Sequence, residues 1–104
     1  MQKGSAEIGL SFDMPDSLTV KQLDDYQIAM QQAIKSLNGT PLTVARLNAV
    51  AYGVATGQGL IANWQCERMP AKPDNIDQAD ARIINYAGTL VREYIEEIAN
   101  VPFG

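Results

Sequence analysis

Between Asp77 and Val101 the chain carries its longest unbroken amphipathic pattern, and no other stretch restricts the fold as strongly. At 100° per residue, Ile83, Ile84, Ala87, Leu90, Val91, Tyr94, Ile95 and Ile98 occupy an arc of about 140°. Arg82, Asn85, Arg92, Glu93 and Glu96 point the other way. The pattern predicts a helix from about Gln78 to Asn100, with Asp77 as N-cap, Asp80 in the first turn, and Val101-Pro102 as the stop. Each Ile or Leu buried on its apolar face contributes about 1.5 to 3 kcal/mol, so this helix should anchor the core.

A second helix is written with equal clarity further upstream. Thr19 and Gln22 have capping-box spacing, and Val20, Leu23, Tyr26, Met30, Ala33, Ile34 and Leu37 share one side. Asn38-Gly39 then offers a left-handed closure. Ile28 falls off the stripe, which marks it either as an ordinary exposed residue or as a partner contact. Thr40-Pro41 opens a third pattern to about Thr56, with Val44, Leu47, Val50, Ala51 and Val54 on one face. Ala45, Ala49, Gly53 and Gly57 recur every four residues alongside it and read as a packing groove. From Leu60 to about Met69, Leu60, Ile61 and Trp64 suggest another helical piece or a bent continuation, with Trp64 as a core anchor. Pro70 and Pro73 then turn the chain.

Ahead of these helices, Ile8, Leu10, Phe12 and Met14 alternate with Glu7, Gly9, Ser11 and Asp13, a period-two strand signal. Residues Met1 to Ser5 read as loose. No second convincing strand is visible, so the alternating stretch is expected to be an arm. It either lies on its own helices or adds as a strand to a partner. The expected architecture is mainly α: a compact bundle of three to four helices with an extended or β-strand-like N-terminal arm. Residues 1–14 form that arm and 15–104 a single helical domain. The residues expected to meet a partner are Ile8, Leu10, Phe12 and Met14 on the arm, together with Ile28.

Composition narrows function by exclusion. There are 12 acids against 8 bases, a net charge of −4, and the bases are scattered, which argues against nucleic acid or anionic lipid as partners. Cys66 is the single cysteine, so no intramolecular disulfide forms, and the cytoplasm is the expected location. MQKGSAEIGL lacks a signal-peptide core, and no apolar run approaches the ~20 residues of a membrane span. Histidine is absent, which removes the commonest general base and neutral metal ligand. Glu93, Glu96 and Glu97 read as a solvated face, and Asp24 and Asp25 are about 100° apart on a helix rather than paired. Gly53 to Gly59 lacks the Lys-Ser/Thr ending of a phosphate loop. No catalytic, cofactor or metal site is therefore expected, and the chain reads as no enzyme.

Several short motifs carry a resemblance. Met14-Pro15-Asp16-Ser17-Leu18-Thr19 leads into a helix holding Gln22 and Tyr26, and Trp64 precedes Arg68-Met69-Pro70 and Pro73. From Phe12 onward this outline resembles small tailed-phage and prophage proteins of the tail assembly chaperone type. The resemblance implies a cytoplasmic protein that binds tail tube or tape-measure protein, self-associates and needs no cofactor. A regulatory or inhibitor-type helical module binding one host protein is the other reading.

Overall fold

The computed structural model describes residues 2–99. In chain order it contains β1 (Gln2–Ser5), β2 (Leu10–Asp13), α1 (Val20–Lys35), α2 (Val44–Gly57), β3 (Ala62–Cys66), a 3-10 turn (Ile76–Gln78) and α3 (Ala81–Ala99). The strands form one antiparallel sheet in the order β1-β2-β3. This overturns the mainly α bundle: the chain is a mixed α/β domain, and the alternating N-terminal stretch is the middle strand of a sheet within the same molecule.

The physical reason lies in backbone pairing. An apolar strand at the core leaves its amides without water, and β2 satisfies them on both edges. On one side Gln2 to Ser5, expected to be loose, pairs with Asp13 to Leu10. Gly9, at φ +71°, closes that hairpin by donating its N–H to the Ser5 carbonyl at 3.0 Å. On the other side, Leu10 and Ser11 pair with Cys66 and Gln65 in the segment expected to be helical. Leu60, Ile61 and Trp64 imitate helical spacing, but Asn63 at φ +54° is incompatible with a continuing helix. The register shifts between Ser11 and Asp13, opposite that residue, as in a β-bulge.

Leu10, Phe12 and Met14 are buried, and Phe12 stacks on Trp64 with ring centroids 5.6 Å apart. Trp64 also meets Tyr52 of α2 at 5.5 Å and donates its indole N–H to the Met69 carbonyl at 2.8 Å. The expected tryptophan anchor is present, on a strand rather than a helix.

α3 buries Ile83, Ile84, Ala87, Gly88, Val91, Tyr94 and Ile95, close to the expected face, although Leu90 is only half-buried. Its cap is Asp80 rather than Asp77: Asp80 Oδ1 accepts from the amides of Arg82 (2.9 Å) and Ile83 (3.2 Å). Asn75 and Asp77 belong to the 3-10 turn that precedes it. The predicted stop at Val101-Pro102 lies outside the described residues.

α1 begins and is capped as expected, with both hydrogen bonds of the Thr19–Gln22 box present. α2 starts three residues late, because Thr43 and not Thr40 is its N-cap. Its buried face is Asn48, Ala51, Tyr52 and Ala55, turned by roughly one residue from the face read in the sequence. The small-residue ridge is consequently no groove: Ala45, Gly53 and Gly57 are exposed, and a Cβ on either glycine would meet nothing within 4 Å. Close helix approach occurs instead at Gly88, where a Cβ would fall 2.3 Å from the Asn48 carbonyl oxygen. The α2 backbone cannot recede without opening the core.

Gly88→Ala should therefore lower stability by about 2 to 4 kcal/mol, read as a shift in denaturation midpoint, whereas Gly53→Ala should be neutral or slightly stabilising. Val91→Asp should abolish the cooperative unfolding transition, because it places an unpaired charge at a fully buried site.

Candidate functional site

The residues expected to meet a partner are scattered by the fold. Leu10, Phe12 and Met14 are core side chains with 1 to 2% exposure, and Ile8 is half-buried against the same core. Ile28 alone among the five stays substantially exposed, at 44%. It borders a shallow groove of about 570 Å³ on α1, shared with Gln31, Gln32, Ile34 and Lys35.

Three further apolar side chains join Ile28 at the surface: Val20 (87% exposed), Leu42 (46%) and Val44 (72%). Among the described residues, all the large apolar side chains that are exposed fall between positions 20 and 44. Sequence reading placed Val20 and Val44 on core faces. Both are the first residue of their helix, one step beyond the capping threonine, where the apolar stripe has run past the surface it packs on. A late start for α2, with Thr43 rather than Thr40 as the capping threonine, would have put Val44 outside.

A second, larger concavity of about 730 Å³ lies over the strand end of the sheet. Its lining includes Gln2, Gly4, Ser11, Gln65 and Arg68, and with them the half-buried free thiol of Cys66. Ser11 Oγ and Gln65 Oε1 are 3.4 Å apart, and Arg68 is paired with Asp80 at 2.7 Å. The lining, which includes Cys66 and Glu67, mixes polar side chains with Ala6, Leu10 and glycine backbone.

The carboxylates are dispersed in structural roles. Asp25 pairs with Lys21 at 2.8 Å, one helical turn away, and Asp77 with Arg46 at 2.7 Å. Asp13 accepts from the Asn63 amide at 2.7 Å. Glu93, Glu96 and Glu97 are exposed. Among the described residues no group of three or more Cys, Asp or Glu side chains is arranged to hold a metal ion, and no helix is long and apolar enough to cross a membrane.

Arg92, read in the sequence as part of the solvated face of α3, instead reaches the core edge. Its Nη1 donates at 2.9 Å to Oδ1 of Asn48, a side chain that is 3% exposed. The buried amide is thereby satisfied by a charge-assisted bond. Tyr26 of α1 lies within the electrostatic reach of this arginine. Burial pushes its phenol up to about 12, and Arg92 offsets part of that effect.

No known family's sequence model matches the chain, nor does any curated protein or solved structure.

Because the folded state favours protonated Tyr26, its contribution to stability is complete below pH 10 and is lost as the pH rises through about 12. A spectrophotometric tyrosinate titration should show a component with a midpoint near about 12. That component should vanish in Tyr26→Phe, and its persistence there would reassign it to another tyrosine.

Proposed function

We propose that this chain is a non-enzymatic assembly or interaction protein, acting in the cytoplasm of a bacterial host as a phage or prophage tail assembly chaperone that holds a tail tube or tape-measure protein. One observation carries the reading. The exposed large apolar side chains among the described residues cluster in one quarter of the sequence, on α1 and the approach to α2, while the core is closed without them. Burying such side chains against a partner is favourable, by up to about 1.5 to 3 kcal/mol for one that is fully exposed, and works against the cost of association. The groove beside Ile28 is flanked by the amides of Gln31 and Gln32 and by Lys35, so its rim offers uncharged donors and acceptors and one cation around an apolar centre. The motifs from Met14 to Thr19 and from Trp64 to Pro73 supply the specific version of the reading.

Co-expression with a tail tube protein or a tape-measure fragment from the same genome should yield a complex that survives purification. Ile28→Lys should weaken it by about tenfold or more, equivalent to about 1.4 kcal/mol, without moving the melting temperature. The chaperone reading fails if neither protein is retained, and the assignment of its surface fails if Ile28→Lys binds as wild type does.

A further inference from the structure

We propose that residues 16–42, α1 with its two flanking loops, form a hinged flap that swings off α2 while the sheet, α2 and α3 remain folded. The inference stands apart from the identity of any partner, because it rests on how unevenly the helices are held.

α3 buries one entire face and α2 buries four residues, but α1 has a single fully buried side chain, Tyr26. The remaining contacts of α1 with the core come from half-buried side chains such as Leu23 and Met30, laid along α2. Little apolar surface opposes its release, and elements of that kind open at a fraction of the global unfolding free energy.

The helix is also equipped to survive release. Its start is fixed by its own residues: Gln22 N–H to Thr19 Oγ1 at 3.1 Å, and Thr19 N–H to Gln22 Oε1 at 2.9 Å. Lys21 and Asp25 are paired one turn apart, and Ser36 Oγ donates to the Ala33 carbonyl at 2.8 Å at the other end. None of these bonds involves the rest of the molecule, so they persist when α1 departs.

Firm attachments lie just outside the segment. The Tyr94 hydroxyl donates to the Pro15 carbonyl, tying the chain to α3 immediately before the flap. Thr43 Oγ1 accepts from the Arg46 amide at 3.0 Å and fixes the start of α2 immediately after it. Asn38 and Gly39, at φ +54° and +89°, form an exposed turn between α1 and α2. Opening would present Tyr26, Leu23 and Met30 on a helix that is already formed, and would bare the side of α2 beneath. The closed state hides that apolar surface, so the flap regulates access to it.

Native-state hydrogen exchange on the full chain tests this. A released helix of 16 residues is only marginally stable in water, so its amides exchange in the open state, and interior α1 amides such as that of Met30 should be at least about 100-fold less protected than those around Val91 in α3. Phe12→Leu, which loosens a core that stays intact when the flap opens, should speed α3 exchange by about tenfold and leave α1 exchange within about twofold. A common protection factor for α1 and α3 in the wild type would overturn the proposal, as would equal acceleration of both by Phe12→Leu.

Discussion

The stack of Phe12, Trp64 and Tyr52 is the contact on which the remainder of the fold depends. It joins the middle strand to an edge strand and joins that edge strand to α2, so β2 meets two elements far from it in sequence through two ring contacts. Aromatic pairs of this geometry contribute about 0.5 to 1.5 kcal/mol beyond the area they bury. Their more important effect here is on register. Trp64 faces Phe12 only if Cys66 lies opposite Leu10 and Gln65 opposite Ser11, and a slip of one residue would turn the indole to solvent. The indole N–H bond to Met69 then fixes where the Pro-rich segment leaves the sheet, and the Tyr52 hydroxyl bonded to the Ala71 carbonyl holds the same segment against α2.

The crossing of α2 and α3 is the complementary constraint. Gly88 allows the two helices to approach backbone to backbone, and that proximity buries Asn48. A buried amide without partners costs about 1 to 3 kcal/mol, which makes Arg92 part of the core although its charge belongs at the surface. Sheet, α2 and α3 thus form one closed unit. α1 has no comparable lock.

How far the sequence discloses this arrangement depends on whether the deciding interaction is local. The start of α1, the apolar face of α3 and the importance of Trp64 are all legible, because capping spacing, 3.6-residue periodicity and ring size act within one element. The sheet is not legible as a sheet. β1 has no apolar alternation, since one of its four residues is Gly and the others are polar. β3 has its alternation disguised by the bulge at Asn63. Both strands form because β2 needs partners, and that demand is visible only once Leu10 and Phe12 are placed in a core. The same nonlocality shifted the face of α2: Asn48 looks like a surface residue until Arg92, 44 positions away, is seen to satisfy it. Among the residues expected to meet a partner, Ile28 is exposed, as its position off the helical stripe indicates. Val20 and Val44 were missed because helix ends break the periodic rule that assigned them inward.

That distribution bears on function through a simple physical contrast. A small domain with a net charge of −4 gains little for its own stability from Val20 and Val44, which are mostly in water, and only part of what Ile28 and Leu42 could give. Val20 and Ile28 lie on the least firmly packed helix, and Leu42 and Val44 lie where the chain leaves it and enters α2. A surface that must match a partner benefits from an element able to adjust or lift, because induced repacking of α1 costs little of the free energy stored in the sheet and the α2–α3 crossing. A rigid α1 would have required another buried anchor beside Tyr26, whereas Val20 and Ile28 face outward. The arrangement therefore divides a short chain unevenly: the aromatic stack and the Gly88 crossing hold the fold, and α1 rests on α2 through Tyr26 and half-buried side chains.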